Sequence, residues 1–193
     1  PVPITLISQQ SIGASLGEES LNKSTRAGIV GMIAVVIFMI LLYKLSGIFA
    51  VIALCVYVVL LLAIFKIVPV TLTLPGIAGF ILSIGMAVDA NILVFERLRE
   101  ELSRRKEGAT GDFLLILNNA YSRAWPSIRD GNVSTLLTCV ILFWFSTSFI
   151  RGFALTLGLG ILVSMFSAMI VTKHLMRFVG EGRLGKKSWP WVR

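Results

Sequence analysis

Five long apolar runs, separated by short polar segments, restrict this chain to a helical membrane fold. A helix of about 20 apolar residues is long enough to cross a bilayer. Hydrophobic residues make up 56% of the 193 residues and charged residues only 15%, against about 25% charged in soluble domains. The sequence therefore predicts an all-α membrane protein, a bundle of five transmembrane helices at about residues 27–43, 48–65, 74–95, 128–148 and 153–172.

The polar segments divide the chain into three predicted regions. Residues 1–26 are mixed and polar, without the basic start and apolar centre of a signal peptide, and we expect the end of an extracytoplasmic domain and a linker there. Residues 27–175 form the predicted transmembrane domain, and residues 176–193 a basic cytoplasmic tail. The opening Pro-Val-Pro-Ile-Thr-Leu-Ile is typical of the end of a strand-containing domain, so we expect a longer parent protein.

The basic residues predict the orientation of the helices. With five crossings, fourteen Lys and Arg fall on one side and four on the other, namely Lys23, Arg26, Lys66 and Arg151. Because basic residues accumulate on the cytoplasmic side, we expect an extracytoplasmic N-terminal segment and a cytoplasmic C-terminus. The net charge of +8 is explained by this clustering at helix ends, so we predict no nucleic-acid partner.

The cytoplasmic loop, at about residues 96–126, has predicted structure of its own. Residues 96–106 continue the third helix as a charged extension, which Gly108 and Gly111 then break. Apolar residues recur next at spacings of three and four, which predicts an amphipathic helix. That helix lies on the membrane surface, or packs on the bundle as a connector. Its apolar residues are Phe113, Leu117, Ala120, Tyr121 and Ala124.

Asp89 is the most unusual residue of the third run, which is otherwise apolar or small. A charge at such depth costs roughly 2.5–3.5 kcal/mol on insertion scales, so it usually has a partner or a water-filled path. Asp89 precedes the charged end at Glu96 by about seven residues, roughly 10 Å of helix. Because removal from water favours the protonated carboxyl group, Asp89 suits proton binding and release. A neutral, hydrogen-bonded structural role is the alternative.

Asp130 opens the fourth run beside Arg129, with Asn132 close behind. It lies roughly 6 Å into the helix that follows Pro126, so Asp130 and Asp89 both belong to the cytoplasmic half and can share a polar cleft. Its position near the start of the helix equally predicts an N-cap.

Small residues at helical spacing predict close helix packing. The row Gly79, Ser83 and Ala87 predicts that the third helix is central in its bundle, with Asp89 facing protein rather than lipid. The candidate packing residues are Gly76, Gly79, Ser83 and Gly85 in the third run and Gly158, Gly160 and Ser164 in the fifth.

The sequence shows no set of residues for metal or nucleophilic chemistry. Cys55 and Cys139 both lie inside apolar runs, where cysteine behaves as a small hydrophobic residue. His174 follows Lys173 at a helix end, which is typical of an interface residue. We therefore predict that the chain is not an enzyme and holds no metal and no cofactor.

Several stretches resemble the SecD/SecF family of protein-export membrane subunits, and in particular its SecD members. Residues 71–79, Thr-Leu-Thr-Leu-Pro-Gly-Ile-Ala-Gly, run into Gly-Met-Ala-Val-Asp-Ala-Asn-Ile-Leu-Val-Phe-Glu-Arg-Leu-Arg-Glu-Glu at 85–101, and together they are similar to the family's fourth transmembrane helix. Residues 11–17, 129–137 and 152–166 are also similar. The likeness covers nearly the whole chain.

The resemblance implies an architecture and a set of partners. Family members have six spans and are related to resistance-nodulation-division transporters, so the five runs here correspond to the second to sixth spans. The resemblance also implies work in the bacterial cytoplasmic membrane with SecF, the SecYEG channel, unfolded preproteins and membrane lipids, driven by the proton gradient. We expect the small-residue faces to pack on helices from SecF and from the first span.

The resemblance also implies roles for individual residues. Asp89 occupies the position of the family's intramembrane aspartate, which is linked to proton flow. Asp130 and Asn132 match an Asp-Ala-Asn motif, with Gly131 where Ala is usual. Together with Asn91, these residues form the predicted proton-relay set, Asp89, Asn91, Asp130 and Asn132.

Three other functions remain as alternatives. An intramembrane aspartyl protease needs two carboxyl groups that share a proton, but the Gly-x-Gly-Asp pattern of such proteases is absent around Asp89. A small-molecule exporter of the same superfamily is the second alternative. The third is a scaffold that assists membrane insertion without moving protons.

Overall fold

The computed structural model describes residues 14–106 and 113–180, and all of these that belong to regular structure are helical. Four helices in this part of the chain are long and apolar enough to cross a membrane. The elements are α1 (Ala14–Ile67), α2 (Leu74–Lys106), α3 (Phe113–Phe145), α4 (Ser148–Phe166), a π-helical segment (Ser167–Thr172) and α5 (Lys173–Gly180).

The first two predicted spans belong to one element, α1, which is broken at Lys44. This residue has φ 47° and ψ −115°, outside the helical region, and no other non-glycine residue in the described ranges has a positive φ. Helix α1 also begins thirteen residues before the predicted span. Part of the reason is local, because Lys23 pairs with Glu19 at 2.8 Å, one turn away on the same face.

The part of α1 before the break runs along α2 in the same direction. Gly28 faces Ile81, since a Cβ on Gly28 would lie 3.2 Å from Ile81 Cδ1. Further along both helices, the Tyr43 hydroxyl donates to Glu96 Oε1 at 3.1 Å.

The part of α1 after the break runs along α2 in the opposite direction. Tyr57 Oη and Ser83 Oγ are 2.7 Å apart in a buried hydrogen bond. Later in α1, the ring of Phe65 meets that of Phe80, which is earlier in α2, with centroids 6.1 Å apart. The chain therefore reverses direction at Lys44, and both parts of α1 pack on α2.

Helices α2 and α4 lie side by side and run in the same direction. Helix α2 begins where Thr73 Oγ1 accepts a hydrogen bond from the Gly76 N–H at 3.3 Å, the usual role of an N-cap threonine. One turn into α2, a Cβ on Gly79 would lie 2.5 Å from Thr156 Oγ1 and 2.7 Å from the Phe153 carbonyl oxygen. Only a glycine lets the two backbones approach this closely.

The predicted amphipathic helix is not a separate element. It forms the first part of α3, which continues through Pro126 to Phe145. The apolar residues of the predicted helix are all buried, and Arg123 pairs with Glu100 and Glu101 of α2. This segment therefore packs on the charged extension of α2, as the connector interpretation expects. The predicted break at Gly108 and Gly111 lies outside the described residues.

Candidate functional site

Asp89 lies on the outer side of α2, exposed in the isolated chain. None of the hydrogen bonds or ion pairs found among the described residues involves its carboxyl group. Gly85, one turn earlier on the same face, is also exposed, and a Cβ built there would meet nothing within 4 Å. Gly85 and Asp89 therefore share an exposed face of α2, and Asp89 is the one carboxyl group in the apolar part of this helix.

Within the described part of this chain, Asp89 faces away from the neighbouring helices, so the expected contact of Asp89 with protein stays a prediction. Residues four apart share a face of a helix, whereas residues two apart lie on nearly opposite faces. The row Gly79, Ser83 and Ala87 leads to Asn91, which is buried. The row of small residues correctly predicts that α2 packs closely on its neighbours. It gives no information about Asp89, because Asp89 lies on a different face of the helix.

Asn91 joins α2 to the π-helical segment. Its Oδ1 accepts a hydrogen bond from the Thr172 hydroxyl at 2.8 Å, and its Nδ2 donates to the Ala87 carbonyl oxygen at 3.3 Å. Both Asn91 and Thr172 are buried. The amide thus has a partner on a neighbouring helix and another on its own.

Asp130 is exposed on α3 and accepts a hydrogen bond from Arg129 Nε at 2.9 Å. The N-cap interpretation of Asp130 is wrong, because α3 begins at Phe113 and Asp130 is well inside it. Asn132 lies on the buried face of α3, where its Nδ2 donates to the Ile128 carbonyl oxygen at 2.7 Å. The two carboxyl groups thus point outward and the two amides inward.

Asp89 and Asp130 lie on adjacent antiparallel helices at different depths. Near one end of the pair Arg123 meets Glu101, and further along Met86 packs in the cluster that holds Cys139. This register places Asp89 nearest to about Thr135, so Asp130 is displaced from it by roughly 7 Å along the helix axis. No hydrogen bond links the two carboxyl groups within the described ranges.

At the depth of Asp89, the exposed side of α3 carries hydroxyl groups as well as large apolar residues such as Leu137. Thr135 donates to the Gly131 carbonyl oxygen at 3.2 Å, and Thr138 donates to the Ser134 carbonyl oxygen at 3.1 Å. A Cβ on Gly131 would meet nothing within 4 Å. At this depth α3 therefore offers hydroxyl groups that bond to the backbone of their own helix.

Most of the candidate packing residues meet other helices of the same chain. Thr156 donates to the Gly76 carbonyl oxygen at 2.9 Å, and a Cβ on Gly160 would collide with Ser83. On α3, Cys139 Cβ would be 3.6 Å from a Cβ on Gly158. These residues therefore pack on neighbouring helices of the same chain, and packing on helices from SecF stays a prediction.

Two candidate packing residues behave differently from the rest. Ser164 is buried, but its hydroxyl donates within its own helix, to the Ile161 carbonyl oxygen at 2.8 Å. Gly85 packs against nothing, because it shares the open face with Asp89.

Three buried hydroxyl residues of α4 and the π-helical segment were not among the predicted site residues. Thr156, Ser167 and Thr172 are all buried, and Ser167 donates to the Ala53 carbonyl oxygen of α1 at 2.9 Å. A signal was available, because serine and threonine inside an apolar run commonly bond across helices. The sequence gives no indication of the π-helical geometry that places two of them.

The described residues include no group of three or more His, Cys, Asp or Glu that could hold a metal ion. His174 Nδ1 lies 2.8 Å from the Ile170 carbonyl oxygen one turn earlier. Cys55 and Cys139 are free cysteines. The site offers carboxyl groups, which can bind and release protons, together with amide and hydroxyl groups, which can donate and accept hydrogen bonds.

Long apolar helices and an apolar exterior define the class, a multi-pass helical membrane protein. Leu41 and Trp144, both 73% exposed, are examples of large apolar side chains that suit lipid rather than water.

The family described as protein export membrane protein SecD/SecF, C-terminal, matches residues 2–182. The chain belongs to this family, which confirms the resemblance drawn from residues 71–101.

Individual relatives agree with this assignment. The protein translocase subunit SecD of Thermobaculum terrenum is 50% identical over 194 residues, covering 98% of this chain and 37% of the relative. The Synechocystis subunit SecD is 49% identical, covering 91% of this chain and 36% of the relative. The chain thus spans just over a third of the length of these curated relatives.

A solved structure has the same fold. The crystal structure of SecDF from Thermus thermophilus, described as a translocon-associated membrane protein, superposes with a TM-score of 0.78 at 32% identity. The match covers 89% of this chain and 23% of the SecDF chain.

Proposed function

We propose that the chain is the membrane part of a proton-driven Sec export subunit in the bacterial cytoplasmic membrane. The observation that carries the proposal is Asp89, a carboxyl group in the apolar part of α2 that lies on an open face. Family membership directs that observation toward protein export rather than another transport process.

The open face around Asp89 supports a partner in the membrane. Ionisable groups inside a bilayer face protein or a water-filled cavity, because exposure to lipid is costly. The described helices leave Asp89 uncovered, so another chain or segment has to cover it during function. SecF is the proposed cover, and the matched SecDF chain, of which this chain covers only 23%, is long enough to contain one.

The four predicted relay residues have different proposed tasks. Asp89 binds the proton, and its neutral form tolerates a dry environment that its ionised form does not. Asp130, with Arg129 beside it, is closer to the predicted cytoplasmic end and exchanges protons with water. Asn91 connects α2 to the π-helical segment through Thr172, whereas Asn132 is held within its own helix.

The proposed topology has five crossings. As a single crossing, the 51-residue candidate span Gly17–Ile67 of α1 would be about 76 Å long against a hydrocarbon core of about 30 Å. The reversal at Lys44 instead supports two crossings, with Lys44 on the cytoplasmic side. The surplus of basic residues predicts the same orientation, which leaves residues 1–26 outside.

The proposed partners are those of the export process. SecYEG supplies the channel and an unfolded preprotein is the substrate, while membrane lipids cover the apolar exterior. Proton movement through the Asp89 face would drive a conformational change in the extracytoplasmic part that we expect upstream of residue 27.

The test is Asp89→Asn in the full-length subunit, assembled with SecF and SecYEG in vesicles. Asparagine keeps the size and most hydrogen bonding but cannot carry the proton. We expect gradient-dependent export and proton flux to be abolished while assembly with SecF survives. Asp89→Glu should keep partial activity, since it still titrates.

Asp130→Asn is the matched control, and we expect it to be milder because Asp130 lies nearer the aqueous boundary. Normal export by Asp89→Asn at normal expression would refute the proton-driven function. Normal export without any proton flux in the native subunit would favour the scaffold.

A further inference from the structure

The π-helical segment Ser167–Thr172 interrupts an otherwise continuous helix from α4 to α5. Such segments are rare and often mark functional positions. This one brings two hydroxyl groups to neighbouring helices. Ser167 reaches the Ala53 carbonyl oxygen of α1, and Thr172 reaches Asn91 of α2.

The Thr172 hydroxyl has one proton and two acceptors. Asn91 Oδ1 lies 2.8 Å from Thr172 Oγ1, and the Ser167 carbonyl oxygen lies 3.4 Å from it. A hydroxyl group donates only one proton, and the shorter contact is with Asn91. If α2 turned and carried Asn91 away, the proton would still have an acceptor inside the π-helical segment.

Asn91 and Asp89 lie on nearly opposite sides of one helix, so a rotation of α2 displaces both side chains. Any rotation of α2 that moves Asp89 along the open face also moves Asn91 against Thr172. Thr156 bonds to Gly76 at the other end of the α2–α4 contact, thirteen residues before Asp89 in the sequence. Thr172 is therefore the residue on a neighbouring helix best placed to fix the rotation of α2 at the depth of the carboxyl group.

We propose that Thr172 is a positioning residue for Asp89, acting through its hydrogen bond to Asn91. The bond fixes the rotation of α2 so that Asp89 faces the partner, and its second acceptor allows the bond to open during the transport cycle. This inference rests on the proposed function of Asp89.

The first test is export by the full-length subunit, assembled with SecF and SecYEG. Thr172→Val keeps the shape and removes the hydroxyl group, so we expect gradient-dependent export to fall roughly three- to tenfold, the range that a single hydrogen bond can supply. Thr172→Ser restores the donor and should recover most of the activity. Thr156→Val is the matched control, because it removes a hydrogen bond between the same helices far from Asp89, and it should change export less than twofold.

The second test measures the rotation of α2 without reference to transport. Spin labels at Leu93, on the Asp89 face, and at Leu137 of α3 are both on exposed positions, and the native cysteines are replaced by alanine. We expect Thr172→Val to shift or broaden the distance distribution between the labels, with Thr172→Ser and Thr156→Val close to the native distribution.

The outcomes separate the two proposals. An unchanged distance distribution in Thr172→Val, or an equal change in Thr156→Val, would overturn the positioning role. Normal export by Asp89→Asn would instead overturn the proton-driven function and leave the distance result intact. Failure of Thr172→Ser to restore export would show that the side-chain shape matters rather than the hydrogen bond.

Discussion

At the scale of single residues, one face of α2 packs against neighbouring helices and the opposite face carries the carboxyl group proposed for transport. Ser83, Ala87 and Asn91 are buried against neighbouring helices, while Gly85 and Asp89 are exposed. One helix thus holds a closely packed seam on one side and an uncovered carboxyl group on the other. Substitutions on the two faces should have different effects, even when the residue type is the same.

Gly79→Ala should destabilise the subunit. The new Cβ would lie 2.5 Å from Thr156 Oγ1 and 2.7 Å from the Phe153 carbonyl oxygen, and backbone atoms cannot move away cheaply. Overpacking of this kind costs about 1–3 kcal/mol. Thermal unfolding of the full-length subunit in detergent measures the effect as a lower midpoint.

Gly85→Ala is the control for that substitution. Nothing lies within 4 Å of its new Cβ, and alanine favours a helix over glycine. We expect an unchanged or slightly higher unfolding midpoint. A larger loss of stability for Gly85→Ala than for Gly79→Ala would contradict the packing of α2 on α4.

The sequence identifies Asp89 but not its direction. Hydropathy alone reveals a carboxyl group in an apolar run, and the spacing of small residues predicts a packed seam. The row of small residues places that seam on the side of Asn91, whereas what covers the opposite side, which carries Asp89, depends on neighbouring helices that one sequence does not reveal. Thr172 was missed for a related reason, because its partner Asn91 is 81 positions away in the chain.

At the scale of elements, the reversal of chain direction inside α1 decides how many times the chain is expected to cross the membrane. Its reversal at Lys44 predicts that residues near its two ends lie on the same side of the membrane. In a background without native cysteines, Asn22→Cys and Thr71→Cys should both react with a membrane-impermeant maleimide from outside intact cells. Both native positions are exposed.

Ser103→Cys provides the opposite control. Ser103 lies on the charged extension of α2, and its cysteine should react only after the membrane is opened. A single crossing by α1 would instead place Asn22 and Thr71 on opposite sides, so labelling of only one of them from outside would disprove the five-crossing topology.

Element boundaries were only partly predictable from the sequence. The charged continuation of the third run through residue 106 is confirmed by α2, because helical spacing persists after the apolar part ends. Pro126 suggested a boundary, since proline lacks an N–H donor and usually interrupts a helix. Burial of the segment before Pro126 and of Ile128 after it keeps α3 continuous, and this tertiary packing is not visible in local sequence.

At the scale of the whole molecule, the chain has two kinds of exterior. Much of the surface consists of large apolar side chains, such as Phe145 at 87% exposure, which suits lipid. The face around Asp89 carries Gly85 and the carboxyl group between the exposed side chains of Leu82 and Leu93. All-helical structure and membrane location follow from composition and hydropathy, but the uncovered face appears only when the helices are packed together.

That uncovered face has a consequence for the life of a newly made subunit. A copy without its partner exposes Asp89 to lipid, and the cost disappears once the face is covered or the residue is neutral. We expect pulse-chase labelling to show faster degradation of the solitary native subunit than of Asp89→Asn, and equal half-lives when SecF is co-produced. Equal half-lives without SecF would contradict this expectation. If the expected difference is found, the carboxyl group of Asp89 acts as a marker of incomplete assembly. Surplus subunits without the proposed partner are then removed, and the two proteins are kept in matching amounts.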